Sequence, residues 1–292
     1  MTKYLLIANP AAGAGRSGDA IDEVAQILDE RGVEYELMLT TAPKNATTIA
    51  RLSHNRFDAV VAMGGDGTVS EVAAGMVHAP VPMGIIPSGS CNDFVKTVNI
   101  PAELEKAIDV LLSGHIRDVD AGRINDMYFI NNVGIGFDGE VNRVASDPTN
   151  RTTGMMKHMS ALATTIGRYD PPVMKITMNG KVLEKKVFQI TVGNGPICGG
   201  GFKLTPDALV DDALFDVLII NSLGVASRVI HLPKVLNGTV TKTKHAFIER
   251  APKLTITSHK PLPIHIDGEV YASDNCHIEI LPKALKIIAG KA

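Results

Sequence analysis

The sequence predicts an α/β chain. An N-terminal domain on a parallel sheet covers residues 1–121 and is completed by 284–292. A second, mostly antiparallel β-sandwich domain covers 122–283. Three observations carry this reading. Strand-like and helix-like segments alternate as far as Asp120, the pattern of a parallel sheet covered on both faces. Glycine- and serine-rich turns stand where those strands end. Beyond Asp120, short strand-like runs follow one another with hairpin dipeptides between them.

In the first half, "KYLLIAN" predicts a strand. Ile21–Arg31 predicts a helix with Ile21, Val24, Ala25 and Leu28 on one face. "EYELMLT" predicts a strand, Ala46–His54 a helix, "FDAVVAM" a strand and Val69–Val77 a helix. "VPMGIIP" and a helix over Pro101–Ser113 complete the alternation. In the second half the predicted strands are "MYFINNVGIG", "PVMKITMNGK", "KKVFQITVGN", "ALFDVLII", "KLTITS", "PLPIHID", "EVYAS" and "HIEILP". Asn179-Gly180 and Asp267-Gly268 read as hairpin turns. Helices are expected only over Thr153–Arg168 and near Ser222–Leu236. No repeat or flexible linker is visible, so the two domains are expected to share a fixed cleft.

Composition narrows the function. The 292 residues carry a formal net charge of -2 and no Trp, which argues against nucleic acid as a partner. Cys91, Cys198 and Cys276 form neither a metal-ligand spacing nor a disulfide framework, as expected in a reducing cytoplasm. "MTKYLLIANP" is too short an apolar run for a signal peptide, and no run is long enough to span a bilayer. The expectation is a soluble, cytoplasmic protein able to touch a membrane surface.

The loops carry the chemistry. A strand ending in glycines and opening a helix exposes unpaired backbone N–H groups, and the helix N-terminus adds positive partial charge, so phosphate is the natural ligand. One terminus contributes about 0.3–1 kcal/mol, and a polyphosphate therefore needs several. "NPAAGAGRSG", Gly64–Thr68 and "PSGSCND" supply three, at the ends of parallel strands where open α/β folds bind ligands. Asp66 would repel a bare phosphate and suits one carrying Mg²⁺. Each loop alone also fits a plain strand–helix connection, and none matches a P-loop.

In the same order along the chain, "NPAAGAGRS", "GGDGTVSEV", "GIIPSGSCNDF", "DVDAGRIN", "GNGPICGGGFKLTPDALVDDALFDV" and "IDGE" resemble the diacylglycerol kinase catalytic family. This superfamily of lipid kinases includes YegS-like and sphingosine kinases and is distantly related to NAD kinases. The resemblance implies a nucleotide-binding α/β domain, a β-rich domain, and ATP and Mg²⁺ as cofactors. It places Asn9, Pro10, Ala11, Ala12, Gly13, Thr40, Gly65, Asp66, Gly67, Thr68, Val69, Ser70, Glu71, Ser90, Asn92 and Asp93 around ATP. It implies that Asp66 acts on the catalytic Mg²⁺ through water, with Asp93 and Asp120 in its network. Glu269 would be the catalytic base, assisted by Asp267. A second, structural Mg²⁺ would sit on the Asp212 side chain and the carbonyls of Leu209 and Leu214. The chain departs from the family at Ser70 (often Asn), Ser90-Cys91 (often Thr-Ala), Lys96 (often Arg) and Ala213 (usually Gly).

The resulting expectation is an ATP- and Mg²⁺-dependent lipid kinase acting on a membrane lipid, foremost diacylglycerol, in reversible contact with the inner membrane face. A homodimer stays open. An NAD kinase-like enzyme with a soluble acceptor and a non-catalytic nucleotide-binding regulator are the rivals. The Met155, Met159, Leu162, Ile166 stripe reads as core or as a lipid wall. The lysines of 181–186 and 242–253 read as a solvated face or an anionic-lipid face.

Overall fold

The structure, a computed structural model, describes residues 2–10, 16–147 and 155–291. The chain divides into two compact units, residues 1–121 with 282–292, and residues 122–281.

The first unit alternates β1 (Lys3–Ala8), α1 (Arg16–Glu30), β2 (Glu34–Leu39), α2 (Asn45–Ser53), β3 (Ala59–Gly64), α3 (Asp66–Met76), β4 (Met83–Pro87), α4 (Asp93–Thr97) and α5 (Leu104–Ser113), and leads into β5 (Ile116–Ile124). β1 pairs in parallel with β2 and β3, and β3 with β4. Ile287 near the C-terminus pairs in parallel with Met83 of β4. β3 and β4 are buried at every position, which is why their sequences are unbroken apolar runs. β2 alternates apolar and polar residues because it lies at the edge. Leu6, Val61 and Ile86 from the strands pack with Val24 and Leu28 of α1 and Ile108 and Leu111 of α5.

The second unit contains β6 (Met127–Phe129), β7 (Asn132–Gly136), α6 (Phe137–Ala145), α7 (Met155–Thr165), β8 (Val173–Met178), β9 (Lys181–Gly193), β10 (Phe215–Asn221), α8 (Val225–Leu236), β11 (Ala246–Ala251) and β12 (Lys253–Ile266). β13 (Glu269–Ile288) begins in it. The pairings β8–β9, β9–β7, β9–β10, β10–β11, β12–β7, β12–β8 and β12–β13 are antiparallel. β9 and β12 each serve different partners along their length. That lets the sheet fold around one core containing Ile135, Ile176, Ile190, Val217, Ile256 and Ile264.

Several elements differ from the sequence expectation: α4 and β5 were not expected, and "MYFINNVGIG" forms two strands, β6 and β7. α6 was not expected, although Phe137, Val141 and Ala145 recur at helical spacing and are buried; the polar run between them hides the pattern. "KLTITS" and "PLPIHID" form one strand, whose register shifts between Thr257 and Leu262, around Pro261. "EVYAS" and "HIEILP" also form one strand. α8 starts at Val225 because Gly224 is extended.

Candidate active site

The carboxyl ends of β2, β1, β3 and β4, neighbours in that order, bring together most of the residues expected around a nucleotide. Asn9 and Pro10 follow β1, Thr40 follows β2, Gly65–Glu71 follow β3, and Ser90, Asn92 and Asp93 follow β4. Ala11, Ala12 and Gly13 lie outside the described residues. Backbone hydrogen bonds tie the strand ends: Asn9 N–H to Met63 O at 3.3 Å, Thr40 N–H to Ala8 O at 2.9 Å, and Ser88 N–H to Gly64 O at 2.9 Å.

The glycines serve close approach. A Cβ on Gly89 would lie 2.3 Å from Gly65 Cα, so the β3 and β4 loops touch backbone to backbone. A Cβ on Gly64 would strike Thr68 at 2.5 Å. Gly65 caps α3 in an extended conformation, and Asp66 stands in the first turn.

Asp66 couples the loops further. Its Oδ1 accepts the Asp93 N–H at 2.7 Å. Burial, reinforced by the Asp93 carboxylate, pushes the Asp66 carboxyl above the usual carboxylate range, although N–H groups from Asp93, Phe94 and Asn92 oppose this. Asp93 is buried and pairs with Lys96 Nζ at 3.2 Å. Asp120 is fully buried, and its Oδ1 accepts the Lys283 N–H at 2.7 Å. Two hard carboxylates this close, beside loops rich in backbone N–H groups, fit a Mg²⁺ ion.

Glu71 is engaged otherwise. Its two carboxylate oxygens accept the N–H groups of Lys44 (3.0 Å) and Ala46 (3.2 Å) at the start of α2. Val69 is core. These two residues shape the loop from behind.

In the second unit, Asp267 and Gly268 form the turn between β12 and β13, with φ of 46° and 91°. The Asp267 carboxylate accepts three backbone N–H groups, from Ile130 (2.8 Å), Asn131 (3.0 Å) and Asn132 (2.8 Å). It therefore anchors the turn. Glu269 follows, exposed, and its Oε2 accepts the Tyr271 hydroxyl at 2.6 Å.

The residues expected to hold a structural Mg²⁺ lie in the turn before β10, where the Asp212 side chain is already engaged. Asp212 Oδ1 accepts the Leu214 N–H at 3.1 Å, and its Oδ2 pairs with the Arg250 guanidinium. Arg250 Nε also reaches Asp216 Oδ1 at 3.1 Å. One guanidinium thus faces two of the acids of this turn. Among the described residues there is no cluster of three or more His, Cys, Asp or Glu arranged to hold a metal.

Comparison with known proteins adds the family. The model described as "Diacylglycerol kinase catalytic domain" matches residues 3–124. That described as "YegS C-terminal NAD kinase beta sandwich-like domain" matches residues 131–289. The chain belongs to the diacylglycerol kinase/YegS-like family. It is 28% identical to a diacylglycerol kinase of Bacillus subtilis over 277 residues, covering 92% of this chain and 90% of the relative. It is 29% identical to one from Staphylococcus aureus strain MRSA252, covering 90% and 85%. A crystal structure of a diacylglycerol kinase from Bacillus anthracis superposes with a TM-score of 0.81 at 26% identity, covering 99% of this chain and 97% of that one.

Sequence reasoning missed three residues of this diacylglycerol kinase/YegS-like chain. Tyr271 bonds Glu269, Arg250 neutralises the acidic turn, and His265 lies under the Gly268 turn. Only His265 left a signal, as a polar residue between two apolar ones in a strand.

Proposed function

We propose that this lipid kinase transfers the γ-phosphoryl group of ATP to the hydroxyl of a membrane lipid, diacylglycerol first among the candidates, with Mg²⁺ as the metal. The observation that carries the reading is the meeting of glycine loops at neighbouring strand ends, with Asp66 bound to the next loop through the Asp93 N–H. The family membership supports a lipid alcohol as acceptor.

Phosphoryl transfer needs positioning and charge stabilisation more than covalent chemistry. Backbone N–H groups of the Asn9, Gly65 and Ser90 loops hold and orient the triphosphate. Mg²⁺ at Asp66 and Asp93 would neutralise charge on the phosphates. Glu269 takes the proton of the lipid hydroxyl, and the Tyr271 hydroxyl fixes its Oε2. Holding the acceptor in line is worth roughly 7–11 kcal/mol of the barrier.

The lipid reaches the enzyme at a membrane surface. The contact proposed is reversible and peripheral; no helix among the described residues is long and apolar enough to cross a membrane.

Radiolabelled ATP offered with a panel of lipids in mixed micelles, with Mg²⁺ or with EDTA, tests the reading. Label should enter diacylglycerol only with Mg²⁺, and Glu269→Gln should lower kcat by about 10²–10⁴. Label entering a soluble acceptor and no lipid would replace the reading with an NAD kinase-like one. ATP binding without turnover on any acceptor would replace it with a regulator.

A further inference from the structure

His265 is only 4% exposed, an unusual place for an imidazole. It lies on β12 opposite Gly134 of β7 and Val270 of β13. Its neighbours Ile264 and Ile266 point into the apolar core. Its own side chain points to the other face, where α6 lies. Its Nε2 is 3.1 Å from Asp138 Oδ2, in the first turn of α6. Its Nδ1 accepts the Gly268 N–H at 3.3 Å, so Nδ1 is unprotonated and the ring hydrogen sits on Nε2, toward Asp138.

The fold clears space for this pair. A Cβ on Gly134 would lie 2.2 Å from His265 Nε2 and 2.3 Å from Asp138 Oδ2. A Cβ on Gly139 would lie 2.2 Å from the Pro263 carbonyl oxygen, so that glycine lets α6 lie directly on β12. Asp138 Oδ2 is buried and has no well-aligned hydrogen-bond donor, although it sits within ion-pair distance of the ring. A buried carboxylate oxygen in that position is costly without compensation. The other imidazole nearby, His158 of α7, also feels the Asp138 charge, although burial holds it below its ordinary value; the imidazole within ion-pair distance of Asp138 Oδ2 is that of His265.

We infer that His265, oriented by Asp138, is a positioning residue that holds the Asp267-Gly268 turn and so aims Glu269. The Asp267 carboxylate ties the turn from one side through three N–H groups. The imidazole ties it from the other through Gly268. Glu269 is the next residue, and its side chain is exposed, with the Tyr271 hydroxyl on Oε2. A turn held at both ends limits where that carboxylate can go. The inference rests on the reading of Glu269 as the base.

Kinetics and amide exchange on the full chain test it. His265→Leu should lower kcat by about 10- to 100-fold, the penalty of a displaced catalytic group. KM for ATP should stay within about twofold, and the Gly268 amide should exchange faster. His265→Asn should recover most of kcat, because its Oδ1 can accept the Gly268 N–H in place of Nδ1. In a Glu269→Gln background, His265→Leu should add no more than about a twofold loss, since both changes act on one group. If Glu269→Gln alone keeps wild-type kcat, the base assignment falls and the positioning role falls with it. If Glu269→Gln is impaired but the two losses multiply, or if His265→Leu keeps wild-type kcat, the base stands and the positioning role is overturned. Should His265→Leu fail to fold, Asp138→Asn takes its place in the same cycle, with the same non-additivity required.

Discussion

Asp66 Oδ1 accepts the backbone N–H of Asp93 at 2.7 Å, so one carboxylate holds the loop after β3 to the loop after β4. The same carboxyl is pushed above the ordinary range, first by burial and then by the charge of Asp93. The folded state therefore binds its proton more tightly than the unfolded state does. Stability from this group falls as pH rises through the window from the ordinary carboxylate value to the raised one. At neutral pH an ionised Asp66 works against the fold, as a site tuned for function does.

Asp66→Asn keeps an oxygen that can accept the Asp93 N–H and removes the charge. Its Tm at pH 7 should equal or exceed that of the wild type, and the difference should shrink as pH falls through the carboxylate range. Its kcat should drop by about 10²–10³-fold, the scale of losing one electrostatic contact to the transition state. Thermal melts across pH with parallel kinetics decide this. A lower Tm at pH 7 with kcat retained would make Asp66 a loop anchor and nothing more.

Ala213 stands where the family usually has glycine, and its φ is 61°. The left-handed region costs an L-residue about 1–2 kcal/mol. Glycine would remove that strain but loses about 0.4–1 kcal/mol through the freer unfolded chain. Ala213→Gly should therefore stabilise the protein by several tenths of a kcal/mol to about 1 kcal/mol, with kcat unchanged. Urea unfolding gives the answer, and a lower midpoint at constant slope would contradict the strain.

How far the fold was legible follows from where each signal lies in the chain. β3 and β4 were plain because every position is buried and apolar. The Asn179-Gly180 and Asp267-Gly268 turns were plain because both residues of each need positive φ, which their side chains tolerate. α6 was invisible because its buried apolar positions are separated by Asp138, Glu140 and Arg143, and because one buried position is the polar Asn142. The glycine loops announced an anion site, since their chemistry is local. The contacts of Asp66 with Asp93, His265 with Asp138 and Arg250 with Asp212 were not legible. They join residues 27, 127 and 38 positions apart, and only the tertiary fold sets those distances.

The acidic turn gives a test of counter-ion identity. Arg250 contacts both Asp212 and the buried Asp216. In an Asp66→Asn background, which removes the metal proposed at the phosphate loops, Tm should be the same in Mg²⁺ and in EDTA, because the guanidinium already supplies the positive charge. Arg250→Ala leaves Asp216 uncompensated, and should cost about 1–3 kcal/mol, below the range for fully buried pairs because Arg250 is half-exposed. That variant alone should regain part of its Tm on adding Mg²⁺. A Tm in that background that rises with Mg²⁺ while Arg250 is intact would show that a divalent ion displaces Arg250.

The same ion-pair reasoning selects a face for the proposed membrane contact. Lys181 is paired with Glu249, Lys186 with Asp170, and Arg250 with two aspartates, so these cations contribute little to an anionic surface. The segment from Val217 to Ile248 is different. It contains no acidic residue, and Lys234, Lys242 and Lys244 in it are exposed. Within it, α8 turns Val229 (55% exposed) and Ile230 (67% exposed) outward. Arg228 fixes α8 from below, donating to the carbonyls of Leu223, Ile166 and Tyr169. Fully burying such an aliphatic side chain is worth about 1.5–3 kcal/mol, and each lysine near an anionic surface about 1 kcal/mol. The apolar pair should therefore dominate retention, and the lysines should set the salt dependence. In liposome sedimentation, Val229→Asp with Ile230→Asp should weaken binding to anionic vesicles by at least about 10²-fold. Lys242→Glu with Lys244→Glu should cost less, and should flatten the salt dependence. Activity on a short-chain, water-soluble diacylglycerol should survive in both. If the aspartate variant binds vesicles like wild type while light scattering shows a dimer becoming a monomer, the α8 face joins two copies of the chain and does not meet the bilayer.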